Sequence, residues 1–168
     1  PRTTISDPSH LFAPNLLNRQ FNDFTAADQG WGSDISFIPT REGFLYVAAV
    51  QDFFSRRIVG LAMADHMRSD LIVTAFEMAY HKRQPDAGLL HHSDRGSQYT
   101  SHAYRALLAN YGVIVSMSAK GDCWDNAPVE SFWATLKREC ANQIFDTRAQ
   151  ARAAIFQYVM GFYNLRRR

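Results

Sequence analysis

The chain has 168 residues, 46% of them apolar and 20% charged, which fits one soluble domain with a single core and excludes a disordered or fibrous protein. No apolar run approaches the roughly 18 residues of a bilayer-spanning helix, and the start lacks the basic-then-apolar order of a signal peptide, so a cytoplasmic protein with no membrane partner is expected. The net charge of +2 is unevenly spread: residues 131–168 carry seven Lys or Arg against two acids, a net of +5, and the first 130 carry 11 against 14, a net of −3. A basic last third on an acidic body suits acids that bind metal beside helices that meet phosphate, although a solvated charged tail accounts for the charge equally well. Cys123 and Cys140 stand outside any CxxC or zinc spacing and read as free thiols.

Residues 1–20 (PRTTISDPSHLFAPNLLNRQ) mix Pro, Ser, Thr and Asn without periodicity and read as a linker or leader from a missing upstream region, leaving 21–168 as the core domain. Residues 31–38 (WGSDISFI) alternate as a strand that ends at Pro39, and PTREG supplies a hairpin turn. The apolar run 44–50 (FLYVAAV) suits a central strand covered on both faces, and 58–64 (IVGLAMA) a third strand, antiparallel because its connection is short. Ser69 or Asp70 can cap a helix over 71–83, broken by Pro85 and Gly88. A helical crossover then makes a fourth strand, 89–92, parallel to its partner, with Asp94 just past its end. A helix over 101–111 stops at Gly112, and 113–117 forms a fifth strand. After a polar loop, 118–125, expected to be mobile without DNA, Asp125 or Asn126 caps a helix that runs through Glu130 to about Cys140, with Pro128 in its first turn. Thr147 and Gln150 form a capping box for a last helix to about Tyr163. The order βββαβαβαα predicts an α/β fold, a mixed five-stranded sheet flanked by helices.

Transfer at a phosphodiester needs a nucleophilic oxygen and a neutralised leaving oxygen, and two divalent cations about 4 Å apart supply both when carboxylates hold them. Asp34 sits inside the first strand, where a charge is expensive unless paired or metal-bound. If strands one and four are neighbours, about 4.8 Å apart, Asp34 and Asp94 can share a cation and Glu130 can complete a second site. Each acid alone is a weak signal, because a lone Asp at a strand end is usually a turn residue and a Glu early in a helix usually complements the dipole.

The combination carries more, because WGSDISFI, VQDFFSRRIVGLAM, HHSDRGSQYTS and KGDCWDNAPVESFWATLKREC succeed one another along the chain, with 35 residues between Asp94 and Glu130. From about Ala13 to Arg168 the sequence resembles the downstream-frame transposases of the insertion sequence 3 family, bacterial relatives of retroviral integrases. The resemblance implies a ribonuclease H-like fold and a catalytic, metal-binding triad of Asp34, Asp94 and Glu130. It also implies two Mg²⁺ or Mn²⁺ ions, cleavage at element ends, and transfer of the freed 3′-hydroxyl into target DNA, through figure-eight and circular intermediates. The implied partners are DNA, as terminal repeats and target, and further copies of the protein in the active complex. The family carries an upstream helix-turn-helix region and a short His-containing continuation past YNLRRR; neither is in this sequence, and Leu165 stands where relatives often carry a basic residue. Two other readings remain open: a DNA-binding or assembly remnant that has lost catalysis, and a ribonuclease H-like nuclease.

Around the triad, Arg95, Lys120, Trp124, Asn126 and Lys137 are candidates for touching DNA. Lys137 lies two helical turns beyond Glu130 on the same face, with a solvated lysine as the alternative, and Trp124 serves equally well as an apolar anchor. Gly96 reads as a backbone necessity. Asp52 reads as structural, with Arg56 and Arg57 as local charge partners, and His91 and His92 as hydrogen-bonded scaffold with a smaller claim to a metal role.

Overall fold

A computed structural model describes residues 12–119 and 122–166. The alternating stretch after Gln29 becomes β1, Gly30–Thr40, which turns back through a two-residue loop into β2, Gly43–Asp52, with β3, Ile58–Ala64, next along the chain. All three are antiparallel neighbours. β1 continues through Pro39 to Thr40, beyond the predicted end. It can do so because β4 reaches only to Gly32, and the later bridge of Thr40 to Phe145 uses the Arg41 N–H, which donates to the Phe145 carbonyl at 2.9 Å, so no ladder needs the N–H that Pro39 lacks.

Helix α1, Ser69–Arg83, crosses to β4, Leu90–Ser93, which pairs parallel to β1; α2, His102–Asn110, crosses to β5, Ile114–Met117, parallel to β4. The sheet order is β3-β2-β1-β4-β5. The expected cap of α1 is corrected: Ser69 and Asp70 lie inside the first turn, and Arg68 holds the cap position without a side-chain bond. At its other end Gln84 turns left-handed, at φ 46°, and its N–H donates to the Tyr80 carbonyl.

After a 3-10 turn, Cys123–Asn126, come α3, Ala127–Glu139, and α4, Arg148–Tyr158, which runs on through a π turn, Val159–Tyr163, to Asn164–Arg166. Thr147 caps α4 as the sequence predicts, its hydroxyl accepting from the Gln150 N–H at 3.0 Å. Among the described residues no helix is long and apolar enough to cross a membrane.

Two apolar layers sandwich the sheet. One side packs Leu45, Val47 and Phe53 against Phe132 and Leu136 of α3 and Ile155 of α4, and the other packs Trp31, Ala48 and Val50 against Phe76 of α1 and Tyr104 and Leu108 of α2. Leu17, inside the stretch read as a leader, is 3% exposed and belongs to the first layer. The Ser116 hydroxyl of β5 accepts from the Leu16 and Leu17 N–H groups, which explains how an aperiodic segment is held: by side-chain bonds to the sheet, a signal periodicity does not carry. At the outer edge of β3, Asn164 bonds both polar groups of Ile58, accepting from its N–H at 2.8 Å and donating to its carbonyl at 2.9 Å. A groove of about 600 Å³ lies further along that edge, lined among others by Leu61, Met63, Leu71 and Phe156, away from Asp34, Asp94 and Glu130.

Candidate active site

The parallel pair of β1 and β4 sets Gly32 opposite His92, so two residues further along each chain Asp34 and Asp94 are carried to the same level. Asp34 lies within β1, opposite Ala49 of β2, on the face that α3 covers. On α3 the positions 126, 130, 133 and 137 repeat at helical spacing and form the stripe turned toward β1. Trp133 donates from Nε1 to Asp34 Oδ2 at 3.0 Å, and Asn126 donates from Nδ2 to the Ser33 carbonyl at 3.3 Å.

The electrostatics of Asp34 record how close its neighbours are. Burial pushes its carboxyl up to about 8, helped by a hydrogen bond and charge repulsion from Glu130 and by the charge of Asp94. Beneath the site, buried Tyr99 brings its hydroxyl to 3.3 Å from Ser33 Oγ and is itself pushed well above the ordinary range, by burial first and by Asp34 among the charges. Glu130 raises the Asp34 carboxyl more than Asp94 does, and the exposed Asp94 turns Oδ1 back to its own loop, accepting from the Gly96 N–H at 2.7 Å. A Cβ on Gly96 would stand 2.9 Å from that oxygen, so a larger residue there would push the Asp94 carboxylate from its present position.

Three crowded carboxylates suit a hard divalent cation, whose charge would relieve the repulsion now carried by a proton on Asp34. Among the described residues no three His, Cys, Asp or Glu side chains already stand in metal-binding spacing, so shared ligation needs the exposed carboxylates of Asp94 and Glu130 to turn inward. Trp133 was not expected from the sequence as a partner of Asp34. Its place one turn after Glu130 on the same face was the available signal.

The start of α3 is fixed by groups expected to do other work. Asn126 is 5% exposed and holds the N-cap position without a capping bond, because its amide is committed to β1. A Cβ on Gly32 would lie 2.6 Å from the Phe53 ring and 2.9 Å from Asn126 Oδ1, so this approach of helix to strand requires glycine there. Asp125, also expected as a cap, accepts instead from the Ala119 N–H and from Arg19 Nε at 2.8 Å, and Arg19 also pairs with Asp122. Residues of the predicted leader thus clamp the turn that leads to Glu130.

Of the residues predicted to touch DNA, Trp124 is 68% exposed, Lys137 is exposed with Nζ 5.5 Å from the centre of the Phe37 ring, and Arg95 is exposed with its guanidinium over Phe12. Lys120 lies outside the described residues. Asp52 is fully buried: Oδ1 accepts from the Asp28 N–H, and Oδ2 from the N–H and hydroxyl of Ser55. His91 and His92 are buried too, His91 Nε2 2.7 Å from the Tyr104 hydroxyl and His92 Nδ1 2.8 Å from Ser116 Oγ. Burial lowers them to about 3 and about 4, so both are neutral scaffold groups at pH 7.

A strand-borne Asp faced by an acid on a crossing helix is a widespread arrangement, and comparison with known proteins narrows it. A family model described as integrase core domain matches residues 25–123, and a second of the same description matches 111–168. The chain belongs to the integrase core family. A 31 kDa protein of insertion element IS600 from Shigella sonnei is 45% identical over 99% of this chain and 61% of its own length. The transposase for IS904 from Lactococcus lactis is 46% identical over 94% of this chain and 62% of its own, and transposase InsF for IS3A from Escherichia coli K12 is 41% identical over 92% and 54%. The integrase core therefore spans about three fifths or less of the length of these relatives, and its resemblance to the insertion sequence 3 family is borne out.

Solved structures agree on the fold. The simian T-cell lymphotropic virus intasome in complex with a PP2A regulatory subunit superimposes with a TM-score of 0.65 at 13% identity, over 77% of this chain and 48% of that one. The HTLV-2 integrase catalytic core domain in complex with magnesium gives 0.58 at 14% identity, over 78% and 84%. The integrase core has the predicted ribonuclease H-like fold.

Proposed function

We propose that this integrase core is the catalytic part of a DNA transposase, which cleaves at element ends and transfers the freed 3′-hydroxyl into target DNA. The observation that carries this reading is the Asp34 carboxyl, held inside β1, pushed up to about 8 and crowded by Glu130 and Asp94. Such a site is unfavourable for the fold and useful for holding positive charge.

Asp34, Asp94 and Glu130 are the residues that would hold Mg²⁺ or Mn²⁺, as two ions in the working complex; the magnesium complex of the HTLV-2 core supports this choice of metal. Held there, a divalent ion would supply the positive charge that activates an attacking oxygen and neutralises a leaving one. Trp133 fixes Oδ2 of Asp34 and so orients the carboxylate for ligation. Lys137, two turns along α3 from Glu130, places its ammonium where a phosphate over the carboxylates would pass. Arg95, beside Asp94, and exposed Trp124 face the same solvent and complete the DNA-facing set. Two element ends must meet, so a multimer is the working form, acting on DNA in the cytoplasm.

The deciding experiment is strand transfer on labelled element-end DNA with Mg²⁺ or Mn²⁺ by the full protein that carries this chain, compared with Asp94→Asn and Glu130→Gln. Activity is expected to fall by about 10³-fold or more in each variant. Equal activity in all three sinks the assignment, and an inactive parent that still binds DNA favours the remnant reading.

A further inference from the structure

Between Gly32, where β4 ends, and Thr40, which bridges to Phe145, β1 has no strand partner on its β4 side, and this stretch forms a short rim that includes Phe37, three residues beyond Asp34. On that rim Phe37 is 50% exposed and Phe44, diagonal to it across the hairpin, 46% exposed, with ring centres 4.8 Å apart. Tyr46 extends the group, 6.2 Å from Phe44. A hairpin needs some cross-strand aromatic contact, but not two rings half in water.

Phe37 and Asp34 point to opposite faces of β1, because they are an odd number of residues apart. Lys137 nonetheless leaves α3 on the Asp34 face and brings Nζ to 5.5 Å from the Phe37 ring, so its side chain passes around the open edge of the strand. The rim thereby joins a cation to an exposed aromatic surface, about 10 Å along the strand from Asp34, the rise of about three nucleotides of one DNA strand. Arg148 adds a second cation beneath it, donating from Nε to the Phe44 carbonyl at 3.0 Å, while the nearby Glu42 carboxylate is occupied by the Arg148 N–H.

We propose that Phe37, backed by Phe44, is a stacking platform for an unpaired nucleobase of the DNA strand that crosses this rim, with Lys137 taking the phosphate beside it. The inference rests on the transposase reading and adds to it a place where a base is held out of the duplex. Stacking on an aromatic ring needs no sequence-specific hydrogen bond, so the platform holds any base and acts by positioning the strand. An apolar protein partner is the competing occupant. The charge favours DNA, because among the described residues the cations Lys137, Arg148 and Arg41 outnumber the acids Glu42 and Asp146, Asp146 is paired with Arg41, and the cation lying against the Phe37 ring is Lys137.

The test uses the full protein and a short single-stranded oligodeoxynucleotide carrying 2-aminopurine, whose fluorescence is quenched on stacking. The parent and Phe37→Tyr are expected to quench it and bind with similar affinity. Phe37→Ala is expected to lose the quenching and to weaken binding by about 5- to 100-fold, with an unchanged melting temperature because the ring is half exposed. Unchanged quenching and affinity in Phe37→Ala overturn the platform, as does an altered oligomeric state by sedimentation with DNA affinity intact, which assigns the rim to a protein partner. The transposase reading fails separately, through absence of strand transfer in the parent, and that result leaves the fluorescence difference between parent and Phe37→Ala in place.

Discussion

Asp34 is destabilising until something positive neutralises its surroundings. Its folded-state carboxyl is raised from 3.8 to about 8, so the folded protein holds a proton that the unfolded chain releases. Stability therefore falls as pH rises between about 4 and 8, and stays reduced above that range. In EDTA, Asp34→Asn keeps an acceptor for Trp133 and removes the charge; it is expected to match the parent near pH 4 and to exceed it by about 1–3 kcal/mol above pH 8, allowing for solvent screening. Chemical denaturation across that pH range measures the difference, and a constant offset at all pH values contradicts the assignment. Trp133 offers the complementary experiment. Trp133→Phe preserves most of the packing on Phe132 but leaves Asp34 Oδ2 without its donor, so strand transfer is expected to drop about 10- to 100-fold with a stability loss of only about 1 kcal/mol. Each acid alone was a weak signal in the sequence, Asp34 the least weak because a charge inside an apolar strand is expensive, and their crowding became visible only with the pairing of β1 and β4 and the approach of α3. Trp133 was not legible as a partner of Asp34, since an indole at a helical core position reads as packing until its N–H is seen to point at a carboxylate.

Strands and helices were predicted to within one to three residues because their periods are local properties, and the errors fall where tertiary contacts override local preference. Asn126 forgoes capping α3 to bond β1, Asp125 is taken by Arg19, and Pro39 stays in its strand because β4 ends before it and the Phe145 bridge uses the Arg41 N–H instead. β4 shows the same effect from inside. His91 and His92 look like titratable groups in sequence, yet burial drives them to about 3 and about 4 from an ordinary 6.5. Both must be neutral for β4 to stay in the sheet. Their contribution is complete above pH 6.5 and is lost as pH falls toward their folded values, by up to about 1.4 kcal/mol per pH unit for each histidine. Replacing the bonded pair together, His91→Phe with Tyr104→Phe, removes both partners of one buried hydrogen bond. The double variant is expected to lose less stability between pH 6.5 and 4.5 than the parent does, by the share of one histidine and against the opposite contribution of Asp34 over that range, and an unchanged slope of the urea midpoint rules out His91 as a contributor.

Across the whole molecule, charge is unevenly spread: Asp34 and Asp94 lie in or just past the central strands, and the described residues of the basic third lie on α3, α4 and the turns that follow. This separation was visible in the sequence as two net charges of opposite sign, but not that Lys137 reaches around the edge of β1, which depends on β4 ending early. If Lys137 meets a phosphate, Lys137→Ala in the full protein is expected to weaken binding to all DNA sequences alike and to reduce the slope of log affinity against log salt by about one. An unchanged slope removes Lys137 from the interface. At the opposite edge, Asn164 has a quieter consequence. By accepting from and donating to Ile58 in the manner of a neighbouring strand, its side chain ends the sheet with an amide where a sixth strand would begin. If the working form is the proposed multimer, its copies are thereby kept, at the first rung of β3, from joining by sheet extension.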